Sequence, residues 1–331
     1  MSQYFLGIDV GGTKTAALIA DEQGRALGYG LGGPGNHEGA GWEGFKLAIQ
    51  TAMTSALTQA GISLADLSAA GLGLAGYDWD DEHEPHVQAL AEIGLTLPMQ
   101  IENDSALGLY AGASAGWGVC VSAGSSNNAR ARGRDGRKGR ITGHGSGFGE
   151  YGGAWEIVER AVIAINYEWI QRTPPTALTP LFIQKAGASD LYDLVRGLAL
   201  RIYQPSSAWA MLVLQAAQQG DPAAQEIVTW SGRELGELAC ALIRQVDATT
   251  DPVEVVLAGS LYKTGEMLIS PLRETVLACA PLAQFIQLEA PPVVGGVLMG
   301  MELILGRSAY DRRKKLLESA RALAVQGTDE A

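Results

Sequence analysis

Residues 5–15 read FLGIDVGGTKT. The apolar run at 5–9 predicts a β-strand, the glycine pair at 11–12 a tight turn, and the apolar run at 15–20 a second strand. This hairpin is not a Walker A loop, because the pattern GxxxxGK[ST] is absent. It is not a dinucleotide-binding fingerprint either, because a strand and not a helix follows the glycines. The stretch therefore favours an α/β domain that opens with a glycine-tipped hairpin.

The tip of this hairpin carries groups suited to a phosphate and a metal ion. Successive backbone N–H groups at Gly11 and Gly12 form a concave site for phosphate oxygens, and Thr13 adds a hydroxyl donor. Asp9 can hold Mg²⁺ directly or through water, because hard cations prefer oxygen ligands. From these residues alone, an ordinary glycine-rich turn with an incidental aspartate stays an alternative.

The same glycine spacing recurs later in the chain. Gly124 and Gly136 follow Gly12 and Gly24 respectively by 112 residues. This repeat indicates a duplicated α/β domain, and we expect the two hairpin tips to face each other and clamp a polyphosphate. A serine-glycine loop without a ligand is the alternative for the second tip, Gly124-Ser125-Ser126.

The fold class predicted from this repeat is α/β, with two similar domains around a cleft. The expected domains are residues 1–116 and 117–306, followed by a helix and tail at 307–331. A helical insertion at about 154–248 lengthens the second domain. Further strands are predicted at residues 25–31, 69–74, 99–102, 119–122 and 253–257, and helices at 42–60, 84–93 and 105–113.

Composition indicates a soluble, cytoplasmic protein. Of 331 residues, 47% are hydrophobic and 18% charged, and the formal charge of −12 argues against binding nucleic acid or an anionic membrane. The first residues lack a signal peptide, and no apolar run reaches 18 residues. Three widely spaced cysteines indicate no disulfide framework. The basic cluster 312–315 is predicted to be a solvated helix face, and His83 and His86 an exposed turn that binds no metal.

Two later motifs place polar or small residues after an apolar strand. In Ile101-Glu102-Asn103-Asp104-Ser105, Asp104 either caps a helix or accepts the proton of an attacking hydroxyl. In residues 257–264, LAGSLYKT, the glycine allows a flat adenine to approach the backbone, and a plain loop between strand and helix is the alternative.

Taken in order, these segments resemble the phosphate and adenosine motifs of the actin/hexokinase/heat-shock-ATPase superfamily. The sequence is most similar to the N-acetylglucosamine kinase branch of the BadF/BadG/BcrA/BcrD ATPase family. The branch is indicated by Gly35-Asn36-His37, Glu102-Asn103-Asp104, residues 143–153 and residues 259–264. The resemblance extends to about Gly306. It implies two ribonuclease-H-like (actin-like) domains around a nucleotide cleft, and ATP-dependent phosphorylation of an amino sugar, with N-acetylglucosamine 6-phosphate as the expected product.

The resemblance also implies roles for individual residues, with ATP and Mg²⁺ as cofactors and a homodimer as the expected assembly. Asp104 would be the catalytic base on the sugar 6-hydroxyl, and Asp9 would serve the metal. ATP would be bound by Gly11, Gly12, Thr13, Lys14, Gly124, Ser125, Gly232, Gly259, Ser260 and Thr264. The sugar would be bound by Asn36, His37, Asn103, Asp104, Ser126, Gly145 and Glu150.

The chain departs from the family pattern at two loops. Ala123 replaces a threonine in the second phosphate motif, so one hydroxyl that would bind phosphate is absent. The loop Gly149-Glu150-Tyr151-Gly152-Gly153 replaces Gly-Asp-Glu-Gly-Ser, which leaves glucosamine or N-acetylmuramic acid as alternative acceptors. A non-catalytic relative that senses sugar and a dehydratase-activating ATPase are further alternatives, and the latter is disfavoured because the cysteines are not clustered.

Overall fold

The computed structural model describes residues 2–328, with side chains described through residue 323. The first sheet has the strand order β3-β2-β1-β4-β5, in which β1, β2 and β3 form an antiparallel meander and β4 and β5 run parallel to β1. Alternating and continuous apolar runs give these strands their buried faces. The strands are β1 (Tyr4–Val10), β2 (Thr15–Asp21), β3 (Ala26–Gly32), β4 (Leu67–Leu74) and β5 (Met99–Asn103).

The second sheet repeats this connectivity. Its order is β10-β9-β6-β7-β8. Read from β8, it has two antiparallel pairs followed by two parallel ones, as the first sheet has when read from β3. The duplication predicted from the glycine spacing is therefore confirmed. The strands are β6 (Gly118–Ala123), β7 (Asn127–Arg132), β8 (Lys138–Arg140), β9 (Glu254–Ala258) and β10 (Gln284–Gln287).

The helices begin and end close to the predicted bounds. The first helix starts five residues before its predicted start, with Asn36 as its N-cap, and it is interrupted at Gly41, whose φ of 67° is left-handed. The α-helices are α1 (His37–Ala60), α2 (His83–Glu92), α3 (Ala106–Gly112), α4 (Ala154–Trp169), α5 (Leu178–Ala186), α6 (Leu191–Ala199), α7 (Ala210–Gln218), α8 (Pro222–Gln245), α9 (Glu266–Cys279), α10 (Val293–Leu305) and α11 (Arg313–Thr328).

Helices α4 to α8 form the insertion predicted in the second domain, and they share one hydrophobic core with the second sheet. The tryptophans of this insertion do not behave alike. Trp209 is buried in that core, whereas Trp155 and Trp169 are partly exposed. Tertiary packing therefore explains Trp209, while the other two contribute to the surface.

The expected boundary of the second domain at residue 306 differs from the observed packing. After β10 the chain returns to the first sheet, where α10 lies across β1 and β4. The contact is close because glycines meet there: a Cβ at Gly7 would lie 2.5 Å from the carbonyl oxygen of Val293, and one at Gly296 would lie 2.6 Å from that of Gly71. We therefore assign α10 to the first lobe, which comprises the first sheet with α1, α2, α10 and α11. The second lobe comprises the second sheet with α4 to α9.

Helix α3 lies between the two sheets, in contact with α10 on one side and with β6, β7 and β9 on the other. Small residues again permit a close approach. A Cβ at Gly108 would lie 2.7 Å from Cys120 Sγ, and one at Gly112 would lie 2.3 Å from a methyl group of Val256. Since α3 follows the motif that contains Asp104, its packing holds that motif between the lobes.

Two predictions about charged or polar clusters are wrong in part, although His83, Lys314 and Lys315 are exposed as expected. His86 is fully buried on α2, where it packs against other aromatic rings, so it does not lie in an exposed turn. Two residues of the basic cluster, Arg312 and Arg313, are partly buried because they anchor the C-terminal helix. Arg313 Nε donates to the carbonyl oxygen of Ala111 at 2.6 Å, and Arg312 Nε donates to that of Glu22 at 3.1 Å.

One helical stretch of the described residues, Val293–Leu323, is long and apolar enough to cross a membrane by length and composition alone. Of its most apolar window, 61% is buried inside the protein. This burial is what the packing of α10 against the first sheet produces, and it is typical of a core helix.

Candidate active site

The first hairpin tip is an open loop with a fixed base. Gly11 N–H donates to the carbonyl oxygen of Lys14 at 2.9 Å, and Gly35 N–H donates to that of Gly11 at 3.0 Å. Gly12, Thr13 and Lys14 are exposed. A Cβ at Gly12 would meet no atom within 4 Å, so the backbone there has free space around it. The tip can therefore present N–H and hydroxyl donors to an anion.

Two partly buried carboxylates, Asp9 and Asp104, lie near this tip. Burial and the charge of Asp104 raise the pKa of Asp9 to about 7, against the opposing effect of Lys14. Burial also raises the pKa of Asp104 to about 6. A carboxyl with this pKa is ionised near neutral pH and is basic enough to accept a proton.

The backbone around Asp104 holds its carboxylate at the start of α3. Ser105 N–H donates to Asp104 Oδ1 at 2.8 Å. Asn103 Oδ1 accepts the same N–H at 3.1 Å, and Asn103 Nδ2 donates to Asp78 Oδ1 at 3.0 Å. The residue at the N-cap position is Ser105, so Asp104 precedes the cap and is not itself the N-cap that the sequence allowed.

Asp78 and Arg130 are two charged residues of the site that the sequence interpretation missed. Asp78 Oδ1 lies 3.4 Å from Arg130 Nη2, and this ion pair joins the first lobe to β7 of the second. Their charges act on Asp104 in opposite directions, since Arg130 lowers its pKa and Asp78 raises it. One signal was present in the sequence: Asp78 follows an apolar strand closely, as Asp9 and Asp104 do.

The second hairpin tip borders a cavity of about 590 Å³. Predicted nucleotide-binding residues form one wall, namely Gly124, Ser125, Ser260 and Thr264. The opposite wall comes from the insertion. Its residues were not predicted, because the helical periodicity of the insertion gave no sign of a ligand; they are Ser207, Ala208, Ala210, Met211, Leu212, Leu214, Gln215 and Gln218.

Gly259 shapes the floor between these loops. Its φ is +108°, and a Cβ there would lie 2.2 Å from the carbonyl oxygen of Ala123. The side chain of Ala123 is buried in the core of the second lobe. A threonine at that position would therefore place its hydroxyl against core residues. We do not expect such a hydroxyl to improve phosphate binding.

Gly232 is a predicted ATP-binding residue that does not line this cavity. It is buried within α8, and a Cβ there would lie 2.4 Å from the carbonyl oxygen of Leu268 on α9. The close packing of two helices explains this glycine.

The residues predicted to bind sugar lie on both lobes. Asn36 Oδ1 accepts the N–H of Glu38 at 2.9 Å as the N-cap of α1, and the next residue, His37, stacks on Trp42 at a ring distance of 4.5 Å. On the second lobe, Ser126 is exposed, and Gly145 begins a short 3-10 helix with a left-handed φ of 69°.

Glu150 builds the loop that precedes it. Its buried carboxylate accepts the backbone N–H groups of Thr142 at 2.6 Å, Gly143 at 2.8 Å and His144 at 3.1 Å. Glu150 therefore fixes the shape of residues 142–144 in this structure, and we did not predict this structural role.

Across the cleft, Asn128 Nδ2 lies 3.5 Å from Asn103 Oδ1.

No group of three or more metal-ligating side chains occurs in the part of the chain that the structure describes. Asp9 and Asp104 are two carboxylates whose charges interact. Each residue is partly buried, and the charge of Asp104 adds to the effect of burial in raising the pKa of Asp9. A bound cation would relieve this repulsion, and phosphate oxygens and water can complete its coordination.

Comparison with known proteins places this geometry in a family. The sequence profile of the BadF/BadG/BcrA/BcrD ATPase family matches residues 6–300. An N-acetylmuramic acid/N-acetylglucosamine kinase of Clostridium acetobutylicum is 23% identical over 300 residues, which are 90% of this chain and 98% of that protein. An N-acetyl-D-glucosamine kinase of Dictyostelium discoideum is 22% identical over 312 residues, with the same two coverages.

A solved structure shares the fold. It comes from Chromobacterium violaceum, is described as a candidate N-acetylglucosamine kinase, and superposes with a TM-score of 0.64 at 24% identity over 90% of this chain and 98% of the other. The repeated sheets and the cleft between them agree with the predicted actin-like ATPase architecture. Since the family profile covers nearly the whole sequence, this chain belongs to the BadF/BadG/BcrA/BcrD ATPase family.

Proposed function

We propose that this chain transfers the γ-phosphoryl group of ATP to the 6-hydroxyl group of an amino sugar, with N-acetylglucosamine as the first acceptor to test. The observation that carries this proposal is the partly buried carboxylate of Asp104. It lies between the lobes with its pKa raised to about 6, which suits a general base near neutral pH. The kinase names of the two curated relatives point to the same chemistry.

The expected reaction needs positioning more than covalent chemistry from the protein. Asp104 accepts the proton of the acceptor hydroxyl while the hydroxyl oxygen forms a bond to the γ-phosphorus of ATP. The bond from that phosphorus to the β,γ-bridging oxygen breaks, and ADP leaves. The N–H groups of Gly11 and Gly12 and the hydroxyl of Thr13 would hold phosphate oxygens, with the nucleoside in the cavity beside Ser260.

Asp9 is the residue that would hold Mg²⁺, directly or through water. When bound, the ion would neutralise charge on the phosphates. Asp9 is the second-last residue of β1, and β1 is the centre of the first sheet, so the sheet fixes its position relative to the hairpin tip.

The acceptor is the finer part of the proposal. N-acetylglucosamine follows from the resemblance and from the names of the relatives, and N-acetylmuramic acid is the acceptor that one of those names adds. Glucosamine is the third sugar to test. The loop around Glu150 differs from the family pattern, so specificity at this loop is open to measurement.

The test is a coupled assay for ADP release, run over these three sugars with and without Mg²⁺. We expect sugar-dependent and Mg²⁺-dependent turnover in the parent protein. We expect Asp104→Asn to lose about 10²–10⁴-fold in kcat, the range typical of general base catalysis, while ATP still raises its thermal unfolding temperature. Asp135→Asn, which removes a carboxylate from an exposed turn, is the control and should retain parental turnover.

Two results would contradict this proposal. Parental turnover in Asp104→Asn would exclude Asp104 as the base. ATP binding without turnover on any of the sugars would instead identify the chain as a non-catalytic relative.

A further inference from the structure

The segment 130–140 is strongly basic, although the protein as a whole is acidic. It carries six cationic side chains within eleven residues, in a chain with a net charge of −12. Four of them line a second cavity, separate from the cavity beside Ser260: Arg130, Arg132, Lys138 and Arg140. Asp78 and Asn103 of the candidate active site also line it.

Register places these four cations against each other. In the antiparallel β7–β8 ladder, Arg130 is paired with Arg140, and Arg132 is paired with Lys138. Like charges directly opposite each other destabilise a sheet. Burial lowers the pKa of Arg130, and the nearby charge of Arg140 lowers it further, which is consistent with this repulsion. Two pairs of like charges in one ladder are unfavourable for the sheet, and this indicates a functional reason for the arrangement.

The cavity has a volume of about 480 Å³ and lies between the lobes. The β7–β8 ladder forms one wall. The first lobe forms the other, with the aromatic rings of Tyr77 and Trp79 and the carboxylates of Asp78 and Glu102. This volume lies in the range of pockets that hold small ligands, and it is too small for a macromolecule.

The charges of the lining are only partly compensated. Arg130 pairs with Asp78 at 3.4 Å, and Lys138 pairs with Glu102 at 2.7 Å. Arg140 has no carboxylate within 4.0 Å among the described residues. Its guanidinium lies 4.8 Å from the centre of the Trp79 ring and donates to the carbonyl oxygen of Asp78. One strong donor group in the cavity therefore lacks an anionic partner.

We propose that this cavity is a second ligand site and that it binds a phosphorylated sugar. Arg140 and Lys138 bind the phosphate group, since guanidinium and ammonium groups form charge-assisted hydrogen bonds with phosphate oxygens. The carboxylates of Asp78 and Glu102 accept hydrogen bonds from sugar hydroxyls, and the ring of Trp79 packs against the apolar face of the sugar. A neutral sugar would leave Arg140 without an anion, and inorganic phosphate would leave the carboxylates and the rings without a partner.

A ligand in this cavity contacts both lobes beside the proposed base. Asn103, which lines the cavity, directly precedes Asp104 in the chain. Arg130, which also lines it, lowers the pKa of Asp104 through its charge. The hairpin tips and the nucleotide cavity are lined by other residues. The site can therefore be filled while the nucleotide cavity stays free, as a regulatory site for the class of compound that the proposed reaction produces.

The experiment is isothermal titration calorimetry with N-acetylglucosamine 6-phosphate, compared with N-acetylglucosamine and inorganic phosphate. Arg140→Gln removes the cation without an anionic partner. Arg134→Gln is the matched control, because it removes the same charge from the same segment but does not line this cavity. Asn36→Ala disables the proposed acceptor site. The choice of probe rests on the proposed function, but the measurement needs no turnover, so either proposal can fail without the other.

We expect the phosphorylated sugar to bind at least about tenfold more tightly than either comparison compound. Arg140→Gln should weaken this binding by about tenfold or more, while Arg134→Gln and Asn36→Ala retain it. Undetectable binding to the parent protein would overturn the proposal. Loss of binding in Asn36→Ala with retention in Arg140→Gln would also overturn it, because the ligand would then occupy the acceptor site. Equal binding of inorganic phosphate would overturn it as well, because the cavity would then bind an anion without selectivity for sugar.

Discussion

Asp9 and Asp104 are two acidic side chains whose surroundings oppose their ionisation. Asp9 sits at the end of a buried strand, and Asp104 sits at the start of a buried helix, so neither is fully hydrated. Such an arrangement costs folding free energy at neutral pH, and natural sequences retain it where the site is used.

The raised pKa of Asp9 makes the free energy of unfolding depend on pH in one direction. The pKa of Asp9 is raised from 3.8 to about 7, so the folded state holds this proton more tightly than the unfolded chain. The free energy of unfolding therefore decreases as the pH rises from about 4 to about 7. We expect Asp9→Asn, measured with a chelator present, to unfold at a higher temperature than the parent protein at pH 8.

The same variant should show little difference near pH 3, where Asp9 is mostly protonated in both states. Thermal unfolding at both pH values checks this prediction, and Asp135→Asn on an exposed turn is the control. A lower unfolding temperature for Asp9→Asn at pH 8 would contradict it.

In the structure, Glu150 shapes a loop, whereas the family resemblance implies a direct contact with sugar. Its carboxylate organises three backbone N–H groups of residues 142–144, and an amide can accept from them with only one oxygen. We expect Glu150→Gln to raise the KM for the acceptor about tenfold and leave the KM for ATP unchanged. Steady-state kinetics measure both, with exposed Glu318→Gln as the control. Unchanged KM values would show that the loop keeps its shape without this carboxylate.

At the scale of elements, the connection from β9 to the following helical turn depends on Gly259. Two glycines with positive φ flank this turn, and they differ in their surroundings. Gly259 lies against the backbone of Ala123, whereas a Cβ at Gly265 would meet nothing within 4 Å. Strain from the positive φ applies to both positions, but only the first adds a steric clash.

We expect Gly259→Ala to weaken ATP binding at least about tenfold and to lower the free energy of unfolding by more than about 2 kcal/mol. Gly265→Ala should lower it by only about 1 kcal/mol, the cost of the backbone conformation alone. Chemical denaturation and nucleotide titration measure the two effects. Equal effects of the two substitutions would show that the contact with Ala123 does not matter.

The elements themselves were largely predictable from the sequence. The strands of the first sheet are short apolar runs separated by glycine turns, and the periodicity of 2 or 3.6 residues sets their type. Bounds shifted where side chains act as caps, as Asn36 does at the start of α1. The position of α10 was not predictable, because its contact with the first sheet joins residues nearly 300 positions apart, and no local pattern records such a contact.

For the site, the sequence predicted the residues that lie in recurring motifs, such as the two glycine tips and Asp104. It did not predict Arg130 or the wall of the cavity around Met211. Arg130 occupies an alternating strand, where a charged residue ordinarily faces solvent, and only the approach of the other lobe buries it. The role predicted for Gly232 stays a prediction. In this structure the glycine packs α8 against α9, and a glycine that helix packing requires resembles one that a ligand requires.

At the scale of the whole molecule, ion pairs join the β7–β8 ladder to the first lobe. The most enclosed is Arg132 with Glu302 on α10, at 2.7 and 3.0 Å, and Tyr310 also donates to Glu302 at 3.1 Å. Both charges are largely buried, so removal of one partner leaves the other without full compensation.

We expect Arg132→Gln to reduce the free energy of unfolding by about 3 kcal/mol. Arg273→Gln, which breaks an exposed pair with Glu266, should change it by less than about 1 kcal/mol. Urea denaturation of both variants measures the difference. A similar small effect in both would show that water enters between the lobes and screens the Arg132 pair.

The return of α10 to the first sheet also orders events during synthesis. Residues 4–103 supply every strand of that sheet, yet Phe5 and Ala69 gain their apolar cover from a helix near the far end of the chain. While the ribosome is still translating the second half, this face of the sheet stays open to water. The strand that contains Asp9 therefore reaches its final support only after about residue 305 has left the exit tunnel, so a strand translated before the rest of its sheet is one of the last to complete its packing.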